Sequence, residues 1–192
     1  MLSIAFLLAL RVVASATPID YGAYFAKGTT FNEFLEHATA LADEWRDVAA
    51  HASVEDAAVT RVRALVSPRR LLVVADDSCH DSLQTLPYLA ALAGAAPGRL
   101  SLRIISSDVG QPIKEAHPTP DGRAATPTIV VLDAGGTLKG VFIERPAALL
   151  RFVDEHGAGL YPSQVRELRH RWYADDKGRH AVDEILGLLE RP

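Results

Sequence analysis

LLVVADDSCHDSLQTLPYLAAL, residues 71–92, changes character half-way along. Its first part belongs to the run RLLVVA, a short continuous apolar segment with β-branched residues. That pattern predicts a strand buried on both faces. From residue 79 to about residue 95 the spacing predicts a helix, with Pro87 inside it as a kink. Cys79, the only cysteine in the chain, stands at the join. Unpaired backbone N–H groups and the helix dipole converge there, and both favour thiolate over thiol. Thiolate is the nucleophilic form, so Cys79 is the candidate catalytic residue. The competing reading of a free cysteine is a small buried core residue.

On the N-terminal side, FNEFLEHATALADEWRDVAA (31–50) sets Phe31, Phe34, Leu35, Ala38, Leu41, Ala42 and Trp45 on one apolar helical stripe. Thr30 and Glu33 have nearly the spacing of a capping box. A second helix is expected over 54–66, with Ser53 as its N-cap, ended by Ser67-Pro68. On the C-terminal side, 99–108 reads as a second strand. Residues 109–126 are loop-rich, with at most a short helix. Strands at 128–133 and 138–144 are joined by an Ala-Gly-Gly turn. Pro146 opens a helix that runs to about His156, and two more helices follow at 162–173 and 178–190. Strand–helix–strand implies a parallel pair with a right-handed crossover, and the hairpin is antiparallel. The expectation is an α/β fold, a mixed four- to five-stranded sheet with helices on both faces. It forms a single domain over 18–192, with its core at about 69–156 and helical extensions at 31–66 and 160–190.

The chain's 192 residues suffice for one well-filled core. Hydrophobic residues at 48% and charged residues at 23% are ordinary for a globular protein. A net charge of −4 argues against a chain built mainly to bind nucleic acid or an anionic membrane. The basic RELRHRW near the C-terminus has Asp175, Asp176 and Glu184 close by, and reads as a solvated helix face. One cysteine excludes an internal disulfide and a dithiol cycle within one chain. The histidines show no ligand spacing such as H-x-x-x-H, so neither a metal site nor another cofactor is read.

Cysteine, Pro87 eight residues on, and Thr126-Pro127-Thr128 opening a later strand together resemble the thioredoxin superfamily. In that superfamily a C-x-x-C motif follows a central strand and opens a helix, and faces a cis-proline before a later strand. Here the motif positions hold Cys79-His80-Asp81-Ser82. More narrowly, the chain is similar to a bacterial group of thioredoxin-like proteins with helical N- and C-terminal extensions. YFAKGTTFNEFL, Cys79-x-Asp81, Gly122-Arg123 and WYADDKGRHAVDEILGLL carry that likeness. The resemblance implies that the Thr126 backbone beside Pro127 pairs with an incoming peptide.

Three departures limit the chemistry. Ser82 replaces the second cysteine, Ser78 the usual tryptophan, and Val73 the usual buried acid. The site is thus a monothiol, C-x-x-S variant. Asp76, Asp77 and Asp81 set negative charge around the thiol, opposing the helix dipole. A single thiolate can attack a protein disulfide or a glutathionylated cysteine and form a mixed disulfide. An external thiol such as glutathione must then finish the turnover. Ser82 reads first as a first-turn helix residue without chemistry; the alternative is a hydroxyl that donates a hydrogen bond to the thiolate, and in neither case can it resolve the intermediate. The expected function is therefore monothiol thiol–disulfide exchange through Cys79, with Ser82, Thr126 and Pro127 as contact residues. The alternative is a redox-inactive module that keeps the fold and binds a protein in the groove beside Pro127.

Residues 1–17 contain an apolar run, Ile4 to Leu10, and the small triplet Ala14-Ser15-Ala16. These resemble a secretory signal, which would mean export to the periplasm. No Lys or Arg precedes the run and Arg11 interrupts it, so an over-long or disordered start and a cytoplasmic protein is the preferred reading. The run is too short to span a bilayer, and no stable membrane insertion is expected.

Overall fold

The computed structural model describes residues 18–192; the signal-like segment lies outside them. Four strands form one sheet: β1 (Arg69–Val74), β2 (Leu100–Ile105), β3 (Thr128–Asp133) and β4 (Leu138–Ile143). Their order is β2-β1-β3-β4. β1 and β2 are parallel, while β3 runs antiparallel to both β1 and β4. The mixed sheet expected from the apolar runs is present. In the hairpin turn, the Asp133 carboxylate accepts the Gly135 and Thr137 N–H groups, at 2.9 Å each.

Alternation along the central strands divides the interior in two. Leu71, Val73, Ile129 and Val131 face one cluster, and Leu72, Val74, Val130 and Leu132 face the other. Burying each such side chain contributes about 1.5–3 kcal/mol. The larger cluster is closed by α2 (Phe31–His37), α3 (Ala42–His51), α4 (Asp56–Arg63), α6 (Leu86–Ala95) and α10 (Arg179–Leu189). The smaller is closed by α7 (Gln111–Ala116) and α1 (Tyr21–Lys27). α8 (Ala147–His156) and α9 (Pro162–Asp176) pack against each other.

Several local expectations need correction. Residues 31–50 are two helices, not one. The break at 38–41 exists because the Asp77 carboxylate accepts the N–H groups of Thr39 and Ala40, at 2.7 and 2.9 Å. Leu41 then enters α3 with a left-handed φ of 52°. The helix expected over 79–95 is likewise two pieces, α5 (His80–Leu83) and α6, parted at Gln84–Thr85. A proline in the first turn of α6 loses no hydrogen bond there, whereas inside one long helix its ring would clash with the carbonyl of Leu83. α4 begins after Glu55 rather than Ser53, and Pro146 is the N-cap of α8 rather than its first residue. The Thr30–Glu33 capping box is complete.

The C-terminal helix is held by a buried cation. Arg69 donates from Nε to the Leu189 carbonyl (2.9 Å) and from Nη2 to that of Arg191 (2.8 Å). It thereby satisfies carbonyls that the end of α10 leaves unpaired. Gly178 starts α10 with φ 72°, and a Cβ there would run into the Tyr88 ring. This position therefore requires glycine.

Candidate functional site

Val74 ends β1 opposite Thr128, which begins β3. The chain leaving β1 and the chain entering β3 therefore emerge side by side at one end of the sheet. Cys79 and the Thr126–Pro127 pair meet there. The Thr126–Pro127 peptide bond is cis. Cys79 is the N-cap of α5, half-buried, and its thiol donates to the Thr126 carbonyl at 3.2 Å. Its sulfur also accepts the backbone N–H of Ser82 at 3.4 Å. Cys79 is thus not a core residue. Pro127 is buried behind the half-exposed Thr126.

Ser82 touches the sulfur through its backbone only. Its side chain is fully buried and Oγ has no hydrogen-bond partner among the described residues. The alternative hydroxyl contact read from sequence is therefore replaced by the N–H that any residue at this helical position supplies. His80 is exposed, and its ring lies 5.0 Å, centroid to centroid, from that of His170 on α9.

The carboxylates around the thiol are individually matched, which the sequence did not reveal. Asp76 accepts the Ser107 N–H at 3.0 Å. Asp77 binds the 38–41 turn, and its own carbonyl accepts the indole N–H of the fully buried Trp45 at 2.7 Å. Burial opposes the Asp77 charge, but the N–H groups of Thr39 and Ala40 outweigh it. They hold the carboxyl below its ordinary range. Asp81 is paired bidentately with Arg145, at 3.1 and 2.8 Å, and accepts the Tyr173 hydroxyl at 2.9 Å.

That pair is part of a longer chain. Arg145 also contacts Glu144 at 2.9 Å, and Glu144 binds both Nη atoms of Arg123, at 3.2 and 3.0 Å. Glu144 has φ 60°, a strained value for a residue with a side chain, and donates its N–H to the Pro127 carbonyl at 2.8 Å. The chain Arg123–Glu144–Arg145–Asp81–Tyr173 therefore ties the proline loop, the thiol loop and α9 together. Burial works against the Arg145 charge, but Asp81 and then Glu144 more than offset it and raise its pKa. The Tyr173 phenol is pushed up by burial first, then by Asp81 and, to a lesser degree, by Cys79. It stays protonated and remains a donor. Sequence reasoning held Gly122-Arg123 and the stretch containing Tyr173 only as a likeness, without a role, and missed Glu144 and Arg145 altogether.

Among the described residues no group of three or more His, Cys, Asp or Glu side chains is placed to hold a metal ion. No helix among them is long and apolar enough to cross a membrane.

Comparison with known proteins agrees with this architecture. A family model described as thioredoxin matches residues 28–157. No curated protein matches the chain. Among solved structures, an HIV epitope-scaffold is similar with a TM-score of 0.71 at 23% identity, covering 90% of this chain and 98% of that one. A protein of unknown function from Pseudomonas aeruginosa is similar with a TM-score of 0.66 at 25% identity, over the same shares of the two chains. The first of these speaks to the fold alone. The family match spans most of the sequence and includes the thiol, both loops and the whole sheet, and on it the chain belongs to the thioredoxin family.

Proposed function

We propose that the protein carries out monothiol thiol–disulfide exchange through Cys79. The observation that carries this reading is the position of the half-buried Cys79 at the start of α5, its sulfur between the Ser82 N–H and the Thr126 carbonyl. The Ser82 N–H favours negative charge on sulfur. In the reaction, Cys79 thiolate attacks one sulfur of a protein disulfide or a glutathionylated cysteine. A Cys79 mixed disulfide forms and the other sulfur leaves as thiolate. With the chain's only cysteine engaged, an external thiolate such as glutathione attacks the mixed disulfide and returns Cys79 to thiolate. No electrons are gained or lost overall; the disulfide bond passes from one pair of sulfurs to another. Thr126 borders the sulfur and, in front of the buried Pro127, offers the backbone against which a peptide substrate lies.

Incubation with oxidised glutathione followed by intact-mass measurement tests this. A rapid adduct of one glutathione per chain, absent in Cys79→Ser, is expected. A thiol that stays unmodified in the native protein would refute exchange and favour a redox-inactive binding module.

A further inference from the structure

One cleft beside α5 has no role in that chemistry so far. It holds about 520 Å³ and runs between α3 and α9, with α5 as its floor. Asp43, Glu44 and Asp47 stand on the α3 wall, and Arg166, Arg169 and His170 on the α9 wall. Asp43 is engaged along its own helix by Arg46, and Asp47 by His51. Among the described residues Arg166, Arg169 and Glu44 take part in no ion pair with the opposite wall. The two walls thus carry opposite charge and are held apart. The Tyr173–Asp81 hydrogen bond fixes α9 to α5 at the cleft's inner end, and Val48 and Leu83 line it as apolar contacts. A volume of this size is in the range of small-molecule sites, roughly 300–1,000 Å³.

The cleft borders His80 and Asp81, the two residues that follow Cys79. His80, next in sequence to Cys79, lines it, as does Leu83, whose N–H closes the first helical turn onto the Cys79 carbonyl at 3.0 Å. Tyr173, on the same lining, donates its hydroxyl at 2.9 Å to Asp81, two residues beyond Cys79. A ligand that satisfies this site needs an ammonium for the α3 wall, carboxylates for the α9 wall and a sulfur within reach of Cys79. Arginines bind carboxylates bidentately, which fixes orientation as well as charge.

We propose that the cleft between α3 and α9 binds a small zwitterionic thiol and its disulfide, of which glutathione is the probe, and delivers its sulfur to Cys79. This rests on the exchange reading above and names the site of its low-molecular partner. Binding places the ligand disulfide for attack. Cys79 thiolate takes one of its sulfurs into a mixed disulfide, and the second leaves as the free thiolate.

The test compares oxidised glutathione with the uncharged bis(2-hydroxyethyl) disulfide, using the full chain. The rate ratio of the two disulfides should favour glutathione and fall about tenfold in Arg166→Glu/Arg169→Glu, as expected when a steering field is reversed. Added salt should lower the ratio in the parent protein. Separately, S-methylglutathione, which cannot exchange, should bind the Cys79→Ser protein in calorimetry and fail to bind once the arginines are reversed. A ratio unchanged by reversal and by salt overturns the cleft proposal while leaving the thiol chemistry standing. Silence of Cys79 toward both disulfides overturns the exchange reading instead, and the S-methylglutathione titration then decides the cleft by itself. Glu44→Lys, on the exposed opposite wall, provides a second variant if the arginine pair fails to fold; it should weaken S-methylglutathione binding, and unchanged binding would count against the proposal.

Discussion

Replacing Arg145 by methionine should both loosen the protein and blunt the thiol. The Arg145 and Asp81 side chains retain only 16% and 15% of their exposure and share two hydrogen bonds, at 3.1 and 2.8 Å. Removing the cation leaves a carboxylate in a largely buried place with only the Tyr173 hydroxyl as partner. Breaking such a pair from one side costs about 3 kcal/mol. For a protein of this size that lowers the thermal midpoint by roughly 6–12 °C. Asp81→Asn together with Arg145→Met removes the stranded charge and should recover much of the loss, a coupling of about 2 kcal/mol in the double-mutant cycle. Thermal or denaturant unfolding of the parent, both single variants and the double variant measures it. The same four proteins should show exchange at Cys79 slowest in Arg145→Met, where the Asp81 charge, two residues from Cys79, loses its counterion, and faster again in the double variant. Purely additive single effects, with coupling below about 0.5 kcal/mol, would refute the idea that the two residues act as a matched pair.

Asp77→Ala should free the 38–41 turn and cost about 2 kcal/mol, because two N–H groups lose a charged acceptor; unfolding followed by Trp45 fluorescence reads it. The folded pKa of Asp77 is depressed, so its contribution is full above the ordinary carboxylate value near about 3.9 and is lost as pH falls through the lower folded value. Burial also lowers the pKa of His117, which shares a 2.7 Å hydrogen bond with the Tyr21 hydroxyl of α1. Its contribution is present above the unfolded value near about 6.5 and declines as pH falls through the folded one, so His117→Gln should flatten the dependence of Tm on pH in that window. Ser82→Ala should be neutral or stabilising by up to about 1 kcal/mol, since the buried hydroxyl has no partner. It should leave the rate of Cys79 modification unchanged, and a clear slowing would show that the hydroxyl serves the thiolate after all.

How far the sequence could be read depended on how local each signal is. The strands were legible because RLLVVA and TIVVLD are apolar without interruption, and a central strand needs nothing else. Cys79 drew notice from its place where a strand gives way to a helix, and Thr126 and Pro127 only through the resemblance to the thioredoxin superfamily. The break at 38–41 was not, because its cause, Asp77, lies 38 residues from Thr39. α1 was not, because YGAYFAK is a short segment whose aromatic residues matter only once β1 and β2 lie beneath them. The three aspartates were visible as charge, but their partners were not. Arg145 is 64 residues from Asp81 and Tyr173 is 92, and nothing in local composition links them. For Ser82 the motif position left two readings, a plain helix residue or a hydroxyl serving the thiolate, and the buried Oγ without a partner among the described residues accords with the first.

The central claim is that the lone sulfur is reactive because the fold presents it, and the rate of Cys79 alkylation in native against fully unfolded protein measures this. The account predicts a native rate at least equal to the unfolded one at neutral pH, falling when Arg145 is removed. Labelling that occurs only after unfolding would contradict it.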